Sequence, residues 1–445
     1  SVSGVVESVR FHTSFASTLQ VLHITEDRIV LLNSDPWCPV RATGVILNPN
    51  DGSVIAMSSF PSYDPTVFVG DLSAEQWASL STIRAFQNFA VQGVYPPAST
   101  FKVVPYVLAM EENFYPMDRG TGDKEFGDQT AEKVEAVPLL TDTDEYLCSG
   151  EFRFTLSDGS VQTKRDWKWP QGHGPLDLHG ALEASCNLYF WDLALRLWEE
   201  RRDDSGIDKE NLLQEYARLF GFGSVTGIDL PFEQAGLVPD RAWFRNEQRN
   251  NTGRVRSDDP WVGGDLMDFA VGQGAALATP LQLANGFAAM VNGGTLWKPR
   301  VVSHIVNGDG EIIDDNPKRV LSTVDLNPRT VEMLRRSLQQ VVNNQERGTG
   351  WFAFKDFGAN VELVGGKTGT GKVIKTQSGD RFRQVDDAFF VGVAPINAPQ
   401  WVVVIVLERG GSGGRVAAPV ARQVLQYLMN GAEGVTELAP GLDAD

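Results

Sequence analysis

Cysteine is scarce. Three thiols in 445 residues are too few to staple a disulfide scaffold, and an odd number leaves at least one unpaired. No run is long and apolar enough to span a bilayer, and no internal repeat is evident. Basic residues are in deficit, 39 Lys and Arg against 57 Asp and Glu, for a net charge of -18; that balance argues against nucleic acid or an anionic membrane surface as the main partner. The chain opens at Ser1 without an initiator methionine or a signal-like segment, so an excised or processed piece is expected. With 42% hydrophobic residues, it can bury a substantial core as one large domain with subdomains, or as two to three ordinary ones.

Three short words carry the chemistry. Ser99-Thr-Phe-Lys102 reads S-x-x-K, Ser185-Cys-Asn187 reads S-x-N, and Lys367-Thr-Gly369 reads K-T-G, followed at once by Thr370. Average residue usage gives roughly one or two chance S-x-x-K matches in such a chain and K-T-G about one time in ten. The ordered trio is far more specific than any member, and it is the nucleophile set of penicillin-binding proteins and serine β-lactamases.

A serine hydroxyl is a weak nucleophile unless a neighbouring base takes its proton, and a lysine can do so only when neutral. Three positions along a helix put Lys102 on the face of Ser99. Burial near another cation lowers a lysine pKa, and Lys367 is the candidate for that charge. Two prolines ahead of Ala98-Ser99 mark a helix entry, placing the Ser99 N–H among the donors of a first turn, where it can face an oxyanion. Pro105 is expected to kink or shorten this helix. The plainer alternative is that Ser99 caps a core helix.

Apolar residues on both sides of Ser185-Cys-Asn187 suggest two helices meeting there, with the Ser and Asn side chains free to enter a cleft. The hydroxyl suits a proton relay and the amide a substrate carbonyl; a simple helix cap is the alternative. Gly365-Gly-Lys-Thr-Gly-Thr-Gly371 fails as a phosphate loop, because it lacks G-x-x-x-x-G-K-[ST] entering a helix. As a cleft strand, its glycines are expected to admit a substrate backbone closely. Lys367 and the hydroxyls of Thr368 and Thr370 then form a carboxylate clamp, with the Thr370 N–H as second oxyanion donor.

Beyond these words, the chain resembles a class B penicillin-binding protein, most like the elongation-type penicillin-binding protein 2 group, from about residue 40 to 425. The resemblance rests on the span from Ala42 to Pro65, and on Arg165-Asp-Trp167, Gly172-His-Gly174, Val271-Gly-Gln-Gly274 and Thr279-Pro-Leu-Gln-Leu-Ala284. One departure is Ala98, where the family commonly has Gly. The resemblance implies an α+β fold of the penicillin-binding transpeptidase and serine β-lactamase type: an antiparallel five-stranded sheet flanked by helices, with an all-helical subdomain at roughly 100–360. It implies a domain at 41–430, a residual pedestal or linker at 1–40 and a tail at 431–445. It further implies a D,D-transpeptidase that cross-links peptidoglycan stem peptides through an acyl-enzyme on Ser99 and is acylated by β-lactams. Such an enzyme needs no catalytic cofactor, carries an amino-terminal transmembrane anchor, faces the extracytoplasmic side of the bacterial envelope and works beside a membrane glycan polymerase.

Cys148, Asp166, His173 and Cys186 are residue types that bind zinc, crowded into one segment. By resemblance, some relatives have a metal-ligand set around the Arg-Asp-Trp and Gly-His-Gly motifs; the His173 to Cys186 spacing fits, and Asp166 to His173 is one residue longer. Such a site is structural, since all four positions are protein ligands. A plain buried Cys186 thiol and a Cys38–Cys148 disulfide remain as alternatives.

The residue pattern itself suggests a sheet built from both chain ends. Residues 1–40 alternate enough to hold strands, a hairpin spans 42–58, Thr279-Pro280 opens a helix to Met290, and 387–394 with 401–407 reads as a hairpin before a helix over 415–429. An acidic stretch at 114–146 and charged runs at 199–211 and 245–260 read as exposed. Competing functions are a serine β-lactamase, disfavoured by length and by the lack of Glu-x-x-Leu-Asn, a D,D-carboxypeptidase, and a non-enzymatic β-lactam sensor.

Overall fold

The computed structural model describes residues 21–25, 28–32, 41–70, 72–116, 140–155, 159–200, 209–250, 252, 253, 255, 261–372 and 386–431. Cys38, most of the acidic 114–146 stretch, parts of the two charged runs and the tail beyond 431 lie outside them. So does the rest of the 1–40 segment, apart from an antiparallel pair, Val21–Thr25 with Arg28–Leu32.

The central sheet draws on both chain ends, as the pattern suggests. Strands β1 (Ala42–Leu47), β2 (Val54–Phe60), β3 (Gly365–Gly371), β4 (Asp387–Ala394) and β5 (Trp401–Leu407) pair antiparallel in the order β3-β4-β5-β1-β2. The run Trp401-Val-Val-Val-Ile-Val-Leu407 is almost continuously apolar because both faces of the sheet are covered. Val402, Val404 and Val406 enter one core, and Val403, Ile405 and Leu407 another, as the two-residue alternation of a strand requires. Each such fully buried side chain contributes on the order of 1.5–3 kcal/mol.

Seven helices frame the site: α1 (Val103–Glu112), α2 (Leu178–Glu183), α3 (Asn187–Glu199), α4 (Gly263–Ala270), α5 (Pro280–Val291), α6 (Pro328–Asn343) and α7 (Ala418–Asn430). Helices α1 to α5 join the core on one sheet face; α7 closes the other. Thr279 caps α5 through a reciprocal box with Gln282, the arrangement that Thr-Pro announces. The last helix begins less regularly, with a π-turn over Gly413–Ala417. β3 is an edge strand, so its outer backbone groups face the cleft between sheet and helical lobe.

Among the described residues, no helix is long and apolar enough to cross a membrane.

Candidate active site

The Ser99 segment is a 3-10 turn, Ala98–Lys102, that becomes α1 at Val103. Pro105 therefore falls in the first α-helical turn, where its missing N–H has no intrahelical bond to make. At three residues per turn, Ser99 and Lys102 stand one above the other. Ser99 is half-buried and Lys102 fully buried.

Lys102 Nζ donates to Ser185 O at 2.7 Å, to Asn187 Oδ1 at 2.7 Å and to Ser185 Oγ at 3.3 Å. From the opposite side, Lys367 Nζ donates to Ser185 Oγ at 2.8 Å and to Thr368 O at 3.2 Å. The Ser185 hydroxyl thus lies between two buried amines. No hydrogen bond joins Lys102 to Ser99 Oγ here; such contacts commonly tighten only when substrate is bound. Burial pulls the Lys102 ammonium down to about 8, opposed by the charges of Asp166, Cys186 and Cys148. Burial, and then the Lys102 charge, draw Lys367 well below the usual lysine value. Two desolvated ammonium groups sharing one hydroxyl favour loss of a proton.

Two helices do meet at S-x-N. α2 ends at Glu183, Ser185 takes a left-handed φ of 55°, and α3 starts at Asn187. That reversal sends Ser185 and Asn187 towards the lysines. With Asn187 Oδ1 held by Lys102, its amide N–H groups are available to a ligand carbonyl.

On β3 two glycines also meet neighbours within the fold. A Cβ on Gly369 would lie 3.0 Å from Thr100 Cγ2, and one on Gly371 would lie 3.7 Å from Ala98 Cβ. At Gly369 the missing side chain leaves room for Thr100; at Gly371 the separation from Ala98 is an ordinary contact, and the Phe389 ring comes nearer, 3.0 Å from where a Cβ would stand. The Thr368 hydroxyl pairs with Thr349 Oγ1 at 2.7 Å, and the exposed Thr370 has its hydroxyl facing the Gly413 N–H at 3.3 Å. The Thr370 carbonyl accepts from Gln273 Nε2 at 3.4 Å across the cleft. A strand residue's N–H and C=O turn to the same side in an antiparallel ladder, so the Thr370 N–H also faces the cleft.

Sequence reasoning assigned no role to Thr349, Gln273 or Trp167, whose indole N–H donates to Ser185 O at 3.3 Å. Gln273 and Trp167 lie inside motifs that carried the resemblance; Thr349 left no signal.

Behind the S-x-N turn lies a second cluster. One donor atom from each of Cys148, Asp166, His173 and Cys186 falls within 4.8 Å of the others. Cys148 ends a short strand, Tyr146–Cys148, paired with Gly174–Leu176, and the His173 N–H donates to Cys148 O at 3.1 Å. His173 Nδ1 is 3.4 Å from Cys148 Sγ and 3.5 Å from Asp166 Oδ1. Asp166 Oδ2 accepts the Asn187 N–H at 2.7 Å, tying the cluster to the first turn of α3. Burial pushes the Cys186 thiol up, and its hydrogen bond holds Cys148 down. Two sulfurs, one imidazole and one carboxylate in a closed, buried set fit a four-coordinate, all-protein metal site. Both thiols are free of disulfide.

The family model described as "Penicillin binding protein transpeptidase domain" matches residues 42–136 and 139–426. The peptidoglycan D,D-transpeptidase MrdA of Haemophilus influenzae is 32% identical over 403 residues, 88% of this chain and 53% of the relative. Among solved structures, Pseudomonas aeruginosa PBP2 in complex with WCK 5153 is 30% identical with a TM-score of 0.68, covering 90% of this chain and 77% of that one. A second, described as a peptidoglycan synthase complex coordinating polymerization and crosslinking, is 28% identical with a TM-score of 0.66, covering 89% and 57%. The chain spans about half the length of the curated relatives it matches.

Proposed function

The chain belongs to the penicillin-binding protein transpeptidase family, and on that premise we propose that it is the catalytic part of a peptidoglycan D,D-transpeptidase of the elongation type. The observation that carries the reading is the Ser185 hydroxyl set between two buried amines, 3.3 Å from Lys102 and 2.8 Å from Lys367.

Ser99 is the nucleophile. Neutral Lys102 takes its proton as Oγ attacks the D-Ala-D-Ala carbonyl, and the N–H groups of Ser99 and Thr370 hold the oxyanion. The tetrahedral species collapses by breaking the C–N bond, and Ser185 relays a proton from a lysine to the departing D-Ala nitrogen. Asn187 holds a peptide carbonyl of the donor. Lys367, Thr368 and Thr370 face its carboxylate, with Gly369 keeping the strand against the nucleophile turn. In the second half, an acceptor-stem amine attacks the ester, loses its proton to the same relay and frees Ser99. A β-lactam enters the first half and stalls there.

Zinc is the proposed occupant of the Cys148, Asp166, His173 and Cys186 set, where it would supply a structural cross-link beneath Ser185 and Asn187; catalysis itself needs no cofactor. The proposed domain is 41–430, a reading that the matched residues 42–136 and 139–426 support. The proposed location is the extracytoplasmic face of the bacterial envelope, membrane-anchored, beside a glycan polymerase; the complex described for one solved relative supports that pairing.

Labelling with a fluorescent penicillin tests the reading. The wild-type chain should form a stable covalent adduct and Ser99→Ala none; a labelled Ser99→Ala protein removes Ser99 from the role. Rapid β-lactam turnover would favour a β-lactamase, and product with an amine acceptor separates a transpeptidase from a carboxypeptidase.

A further inference from the structure

The Thr370 carbonyl, on the edge strand β3, already has a partner. Gln273 Nε2 donates to it at 3.4 Å from across the cleft, inside the roughly 4.8 Å that separates a strand from its neighbour. The side chain stands on a firm base. Its own N–H donates to Asp268 O at 2.8 Å, and the Gly272 carbonyl just before it accepts the Ala98 N–H at 2.8 Å. Asp268 is in turn paired with Lys164 at 2.5 Å. The backbone at 273 is thus tied to α4 and to the Ser99 turn, while the half-buried side chain makes the reach to β3.

Ladder geometry says what that carbonyl is for. In an antiparallel pair, two opposed residues that exchange hydrogen bonds exchange both, each N–H meeting the other's C=O. With the Thr370 N–H as an oxyanion donor, the residue that bears the attacked carbonyl therefore presents its own N–H to Thr370 O. In a D-Ala-D-Ala stem, this is the amide N–H of the penultimate D-Ala. In a penicillin, it is the acylamino N–H on the carbon next to the attacked carbonyl. The Gln273 amide stands where that N–H has to come.

We propose that Gln273 is a latch on β3, a specificity-determining residue that occupies the Thr370 carbonyl in the free protein and yields it to a donor bearing an N–H beside its reacting carbonyl. The inference rests on the transpeptidase reading above. An open strand edge is a template for any extended peptide. The latch disfavours peptides that lack a carboxylate for Lys367 and the β3 threonines, because they must displace it without that second contact.

The test is Gln273→Leu in the full chain, which keeps bulk and removes the amide. Stopped-flow acylation with a fluorescent penicillin should show the dissociation constant of the initial complex falling about threefold, the scale of one weak hydrogen bond, with the acylation rate constant and the melting temperature unchanged. A carbapenem carries a hydroxyethyl group in place of the acylamino N–H, so it leaves the latch closed; read by competition, it should gain nothing. Gln273→Ala should give the same pattern and replaces the Leu variant if that one melts early. A penicillin dissociation constant that is unchanged or weaker overturns the latch, and so does an equal gain for both β-lactams, which would be an effect of bulk. A wild-type chain that takes no label overturns instead the reading on which the latch rests.

Discussion

The two polar clusters on either side of the S-x-N turn are built by opposite rules. In front, Lys102 and Lys367 are buried with neutral oxygens for partners, so desolvation dominates and both are held below the usual lysine range. Behind, two thiols, an imidazole and a carboxylate gather with no lysine or arginine among the described residues hydrogen-bonded to them, a set that suits a cation from outside. Three consecutive residues serve both: Ser185 and Asn187 turn to the lysines, Cys186 to the cluster. The clusters also share a field, since Asp166 and the thiols raise the Lys102 pKa that burial lowers. A buried charge without a counter-charge is reactive; buried ligand groups that converge are a cross-link.

The sharpest way to break this contrast is to remove the amine in front. Lys102→Met keeps the volume and should slow acylation by about 10²–10⁴-fold, measured by stopped flow; a loss below tenfold would return the base role to another group. The wild type adds a sign. Lys102 works only when neutral and its pKa is about 8, so acylation should climb about tenfold per pH unit below 8 and level off above it. A rate that falls between pH 7 and 9 contradicts a lysine base.

The second change attacks the rear cluster. Protein purified without added zinc should carry one metal per chain, and chelation or Cys186→Ser should lower the melting temperature by about 5–10 °C. Metal-free protein with a Cys38–Cys148 bridge would replace the site with a disulfide. The smallest effect is expected at the rim. Thr349→Val removes the 2.7 Å partner of the Thr368 hydroxyl and should slow acylation about three- to tenfold, the scale of one hydrogen bond; an unchanged rate would make Thr349 mere packing.

Legibility differed between these parts for physical reasons. The lysine cluster is readable because local geometry imposes fixed spacing: three residues for a nucleophile and base on one helical face, two for a reversal between helices, two for alternation along a strand. The Asp387–Ala394 and Trp401–Leu407 hairpin was readable because both faces of the sheet are buried and the apolar run is unbroken. Thr349 and Gln273 were not, since each acts through one long-range contact with no spacing rule attached. The glycines of β3 were read as room for a ligand; within the fold, Thr100 and Phe389 come closest to Gly369 and Phe389 to Gly371, and a glycine's sequence position says that something comes close, not what.

By itself, then, the sequence determined the proposed reacting groups and the strands and helices that bear them, because periodicity and residue chemistry act over a few positions. Only the tertiary structure decided what those groups face: which hydroxyl stands between the amines, that Cys148, Asp166, His173 and Cys186 converge behind the S-x-N turn, and that Thr100 packs over Gly369. Those distances come from packing the helical lobe onto an edge strand, and burial and contact across that seam set the charge of each lysine.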